Sequence, residues 1–236
     1  MIPVFVGPSL PPSLRAEGPF DWRPPAQAGD VLALLDRPPA RLCLIDGLFD
    51  ACPAPWHKEL LLLMESGTLV FGAASMGALR AAELHPFGMI GVGTIFRAYR
   101  DGRIDGDDEV ALIHAPERLG WAPLTVPMIE VRATLLAACR ARLIAPATAR
   151  RIRSLAREIH FSDRDWPAIA QSYGADGPAL QRLEAMHIPL KQQDALACLA
   201  AALGPAPEAA APRATPRTCF IAELASQRGV KAFSAA

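Results

Sequence analysis

Three short apolar runs constrain this chain more than any other feature: IPVFV from Ile2 to Val6, RLCLI from Arg41 to Ile45, and TLVF from Thr68 to Phe71. Each reads as a buried strand. Turn chemistry ends them: Gly7-Pro8 after the first, Asp46-Gly47 after the second, and Gly72-Ala73-Ala74-Ser75 after the third. Between and after them the pattern turns helical. Asp30 to Leu35 reads as a short helix capped by Asp30. Pro55 opens a helix over Trp56–Ser66, closed by Gly67, because Pro suits a first turn and Gly a helix end. Met76 to Leu84 continues as a helix directly from the third turn. Short apolar strands alternating with helices predict an α/β fold, a parallel sheet with flanking helices in the N-terminal half.

The second half reads as mainly helical. Helices are expected over 129–143, 147–159, 163–173, 178–186 and 192–203 from periodicity and caps. Residues 204–217 are rich in Ala and Pro and read as a linker, and 218–236 as a tail. The expected organisation is therefore an α/β core over 1–126, a helical part over 127–203 packed on it, and a linker with tail over 204–236. The stretch from Pro86 to Gly93 reads as Gly-rich turns. The acidic stretch from Phe96 to Glu109, with Asp101, Asp105, Asp107, Asp108 and Glu109, lacks the spacing of a calcium loop and reads as a solvated loop. Arg132, Arg140, Arg142, Arg150, Arg151, Arg153 and Arg157 crowd the helical half. They fit either a solvated face or a docking face for an acidic partner.

Composition removes several function classes. Of 236 residues, 51% are hydrophobic, enough for a core. Lys plus Arg and Asp plus Glu are 24 each, so no net charge draws the chain to nucleic acid or an anionic membrane. No apolar stretch reaches the ~20 residues of a membrane span, and the first ten residues lack the basic lead of a signal peptide. A cytoplasmic location is expected. The cysteines, Cys43, Cys52, Cys139, Cys198 and Cys219, are odd in number and scattered, which supports neither a disulfide framework nor a zinc site. His85, His114, His160 and His187 show no metal-ligand spacing. Neither GxGxxG nor GxxxxGK[ST] occurs, so no nucleotide cofactor is expected.

Right-handed crossovers gather strand ends and the first turns of following helices at one edge of such a sheet. That edge receives Gly7 and Ser9, then Asp46, then Ser75, and the start of the helix after Pro55 brings His57 and Lys58. Ser75 sits where strand, tight turn and helix meet. It is a candidate nucleophile, with the amides of Met76 and Gly77 placed to hold an oxyanion, or else a plain helix cap. GAASMG echoes a nucleophile elbow without its GxSxG spacing. Lys58 is a candidate base if neutral, which partial burial favours; it also fits a surface Lys lying over Leu62. Only Lys58, Lys191 and Lys231 are Lys, against 21 Arg. Since Arg cannot give up its proton, a retained Lys favours the chemical reading. His57 is the competing base. Asp46 fits support of Lys58, substrate placement or a cap on the turn before Pro55. Gly7, Ser9 and His57 are candidates for substrate binding.

The segments VFVGPS (4–9), DGLF (46–49), WHKELL (56–61) and FGAASMGALRAAEL (71–84), continued by HPFGMIGVGTIF (85–96), DDEVALIH (107–114) and PMIEVRATL (127–135), resemble the TfuA-like proteins. The resemblance covers residues 2–138. It implies a partner of a YcaO enzyme in backbone thioamidation of ribosomally made peptides. The implied role is hydrolysis of a thiocarboxylated ThiS-like sulfur carrier to release sulfide, with support for engagement of the precursor peptide. The family's Ser-Lys pair falls on Ser75 and Lys58. Two alternatives remain at this stage: a non-catalytic adaptor joining carrier and YcaO enzyme, and an unrelated small-molecule α/β hydrolase.

Overall fold

The structure is a computed structural model that describes residues 1–48, 52–174, 182–206 and 214–233. Phe49 of DGLF, the first four residues of the expected helix over 178–186 and the middle of the expected linker lie outside the described residues. Two compact units form, one from Met1–Arg103 with Gln192–Ala236 and the other from Ile104–Lys191.

The first unit is built on a five-stranded parallel sheet: β1 Ile2–Phe5, β2 Phe20–Arg23, β3 Arg41–Leu44, β4 Leu69–Gly72 and β5 Ile90–Gly91. The strand order is β2-β1-β3-β4-β5. The chain turns one way from β1 to β2 and the other way to β3, so the order reverses between β1 and β3. In open sheets of this kind the crevice outside the strand ends at the reversal is the usual ligand position. Helix α1 spans His57–Glu65, α2 Met76–Leu84 and α3 Gly93–Arg100. The three apolar runs are strands as expected, and the fold is α/β with a helical C-terminal part.

Four features depart from expectation. Phe20–Arg23 is an edge strand, half-buried behind its Pro-rich approach. Ile90–Gly91 pairs with β4 where turns were expected. The segment after Asp30 is a 3-10 helix over Leu32–Asp36, and the Asp30 carboxylate accepts from the Gln27 amide instead. The acidic run is not solvated throughout. Its start is the end of α3, and Glu109 is 3% exposed, taking both carboxylate oxygens to Arg132. A buried carboxylate requires such a partner.

The helix Leu190–Leu203 belongs to the sheet unit rather than to the neighbouring helices. Its Ala195, Cys198, Leu199 and Ala202 bury against Val4, Cys43, Ile45 and Phe71. From the same helix, Asp194 accepts the Thr94 amide at 2.9 Å and the Ile95 amide at 2.7 Å, satisfying the first turn of α3. Gly93, at φ +94°, must be Gly, since a Cβ there would meet Asp194 Cγ at 2.2 Å. Burial pushes the Asp194 carboxyl above the usual carboxylate range, against the pull of those amides. A folded-state pKa raised this way gives a contribution that is full below the unfolded value and lost as pH rises through the folded one. Relative to Asp194→Asn, the wild type should therefore gain stability as pH falls towards the ordinary carboxylate value of about 4. Urea unfolding of both proteins across that fall in pH measures the difference.

The second unit packs the helices Met128–Arg140, Pro146–Glu158 and Trp166–Tyr173 around Met128, Val131, Leu135, Ile152, Ile169 and Trp166. Arg164, 1% exposed, donates to the carbonyls of Ala156 and Ile159 and to the Asp108 carboxylate. Arg150, Arg153 and Arg157 are exposed. Among the described residues no helix is long and apolar enough to cross a membrane.

Candidate functional site

The ends of β1, β3 and β4 meet as the topology requires. Ile45 and Asp46 both donate their amides to Phe5 O at 3.0 Å, which ties the exit of β3 to the exit of β1. Asp46, 1% exposed, then fills the reversal point. Its Oδ2 accepts the Gly7 amide at 2.8 Å and the Ser9 amide at 2.9 Å, and its Oδ1 accepts the Ser9 hydroxyl at 2.6 Å. Gly7, Ser9 and Asp46 thus form one buried lattice. Of the readings open for Asp46, the structure shows a turn lock, acting on the turn after β1 and not on the one before Pro55. Three bonds to a buried charged acceptor are worth more than three neutral ones, and leaving the donors empty adds a penalty. We expect Asp46→Ala to cost about 2–4 kcal/mol, measured as a shift in urea midpoint.

Ser75 stands at the exit of β4. Ala73 donates to Leu44 O at 3.2 Å, and Ser75 donates back to Ala73 O at 2.8 Å, folding the turn tightly. Ala74 takes the strain, with φ +64°. That region disfavours any residue with a Cβ, at a cost of order 1–3 kcal/mol. In such a turn the strain sits one residue before the serine. Ser75 itself has φ −118° and ψ −122° and is 2% exposed. Its hydroxyl makes no capping bond to α2, although Ser75 occupies the capping position. The plain cap role is therefore not realised.

The amides around it divide unequally. Gly77 donates to Ile45 O at 3.1 Å, and Ala78 and Leu79 donate to Ser75 O. The Gly77 amide is thus engaged with β3 rather than directed at an oxyanion beside Ser75. The Met76 amide, at the first position of α2, has no intrahelical acceptor by construction. The loop after β3 closes over this point, since a Cβ on Gly47 would lie 2.8 Å from Met76 Cγ.

His57 and Lys58 do not join this group through hydrogen bonds. Successive helix residues point about 100° apart, and the two side chains go to different neighbours. His57 Nε2 lies 2.7 Å from Glu83 Oε2, and Arg80 Nη1 donates to the same oxygen at 2.8 Å. Burial works to raise the Glu83 carboxyl, but the bonds from His57 and Arg80 outweigh it and hold it below the usual range. Glu83 is eight residues beyond Ser75, about 12 Å along α2 at 1.5 Å per residue. Lys58 Nζ donates to Thr218 Oγ1 at 3.1 Å. Thr218 precedes the helix Cys219–Gln227. Local sequence carried no signal for this contact, because 160 residues separate the partners.

The start of α1 is held elsewhere by a buried acid. Glu59, 0% exposed, accepts the amides of Gly29, Leu32 and Trp56. Burial raises its carboxyl above the usual range against those three amides. Among the described residues, no three His, Cys, Asp or Glu side chains are grouped as a metal site.

The profile of a family described as TfuA-like protein matches residues 46–165. That span runs from the buried Asp46, through α1 and the Ser75 turn, into the helical unit. No curated protein matches the chain.

Proposed function

The chain belongs to the TfuA-like family, and from that premise we propose that it serves a YcaO enzyme in peptide backbone thioamidation by hydrolysing a thiocarboxylated ThiS-like carrier at Ser75. Family membership fits a role in thioamidation alongside a YcaO enzyme. The hydrolytic step is our reading, and a single observation carries it: Ser75 occupies a strained strand-to-helix turn yet does not spend its hydroxyl on capping the helix.

In this reading Lys58, as the neutral amine and once it leaves Thr218, takes the proton of Ser75. The Ser75 oxygen attacks the thiocarboxylate carbon and forms a tetrahedral oxyanion. The Met76 amide, at the positive end of α2, offsets the charge. Collapse breaks the C–S bond, and the sulfur takes the proton back from the Lys58 ammonium and leaves as hydrosulfide. Water then hydrolyses the Ser75 ester and returns the carrier as a carboxylate. Sulfide release by wild type, Ser75→Ala and Lys58→Ala tests the step: both variants should lose it.

A second reading is a non-catalytic adaptor that recruits carrier and precursor peptide to the YcaO enzyme. It draws on the bond from Lys58 to Thr218 and on the 2% exposure of Ser75. Thioamide formation that persists in Ser75→Ala favours this reading.

A further inference from the structure

We propose that the C-terminal segment is a strap that parks Lys58, with Thr218 as the residue that positions its amine. The proposal rests on the reading of Lys58 as the base of the site.

Three side chains of α1 share one face at i, i+4 and i+7 spacing: Lys58, Leu62 and Glu65. All three meet the strap. Glu65 Oε2 accepts the Thr215 amide at 2.9 Å. Leu62 packs in a cluster with Ile221, Leu224, Ala225 and Val230. Lys58 Nζ donates to Thr218 Oγ1. Beyond the helix Cys219–Gln227, Arg228 returns to the first turns of the chain, donating to Ala28 O and lying 3.5 Å from Asp30. The strap is thus anchored on both sides of the Lys58 contact.

Thr218 makes an unusual choice. It stands at the capping position of its helix, with φ −90° and ψ 159°, where a threonine hydroxyl ordinarily accepts a first-turn amide. No such bond forms. The hydroxyl accepts from Lys58 instead. That arrangement forgoes a cap and brings the donors of an amine to the positive end of a helix, neither of which favours the helix. The contact therefore serves Lys58 rather than the strap. It holds the amine on the strap, while His57, one residue earlier, faces α2. Displacement of the strap frees the amine for Ser75.

The chain contains three lysines, so amine reactivity reads this directly. The full-length protein is treated briefly with an acetylating N-hydroxysuccinimide ester, and modification of each lysine is followed by peptide mass spectrometry. Thr218→Val should raise the initial rate at Lys58 by about 2- to 10-fold, the range open to one hydrogen bond. Lys231, which is exposed, and Lys191, 3% exposed, should keep their rates. Thr218→Ser should restore the wild-type rate, since it returns the hydroxyl. An unchanged Lys58 rate in Thr218→Val overturns the proposal, as does an equal rise in Thr218→Ser. The same variants are assayed for sulfide release, where Thr218→Val should exceed wild type. A faster Lys58 in a protein that releases no sulfide upholds the strap and sinks the hydrolase reading.

Discussion

Gly77→Ala should lower the melting temperature by on the order of 10 °C, although the same change in an open helix would stabilise. The two effects are of known size. In a helix interior Ala is better than Gly by about 1 kcal/mol. Against that stands the contact of α2 with the sheet. A Cβ on Gly77 would lie 1.8 Å from Leu44 O and 2.6 Å from Leu44 C. These are backbone atoms of β3, and neighbouring Leu44 and Ile45 are fully buried. No side chain can rotate away, so the strand or the helix must move. Overpacking a rigid core costs about 1–3 kcal/mol and at times more. Because both contacts are to backbone, we place the clash above that range at about 4 kcal/mol, which less the helix gain leaves a net loss of about 3 kcal/mol, and for a protein of this size that is the temperature shift given above. It would also break the bond from the Gly77 amide to Ile45 O. Thermal melts by circular dichroism decide the matter. A melting temperature equal to or above wild type would mean that α2 does not seat on β3 as described.

Much of the sheet was legible because its strands are buried on both faces and read as unbroken apolar runs. RLCLI and TLVF, each ending in a small-residue turn, gave β3 and β4 to within a residue or two. FDWR did not, because an edge strand with one buried residue in four carries no such run. Ile90–Gly91 is too short to show any period, and it exists only because β4 offers it a partner. The helix at 93–100 was hidden for a different reason. Its first turn is completed by Asp194, a hundred residues away, so the sequence before it carries no cap.

The site divides along the same line. The convergence of Gly7, Ser9, Asp46 and Ser75 follows from topology alone and needs no pairwise information. The partners of individual polar groups do not follow. Asp46 was placed at the right edge, yet Ser9 as the group it holds was not read. Lys58 was placed at the start of a helix, but which neighbour its face meets depends on how that helix is rolled. The roll is shared between Glu59 on the Gly29 and Leu32 amides and Leu62 with Glu65 against the C-terminal segment. No local pattern in WHKELL contains that information.

Ser75→Ala should abolish sulfide release while leaving the fold nearly as stable as wild type. The stability half follows from the absence of a capping bond, since no helix amide loses a partner when the hydroxyl goes. The activity half follows from the role assigned to the oxygen. Removing a nucleophile leaves only binding and charge stabilisation, so the rate should fall on the order of 1,000-fold or more. The most direct measurement is free sulfide produced from a carrier protein bearing a C-terminal thiocarboxylate. Wild type and Ser75→Ala are compared at equal concentration, with the melting temperature of each recorded. The hydrolase account predicts release by the wild type and none above background from the variant. Equal release by two equally folded proteins would contradict it.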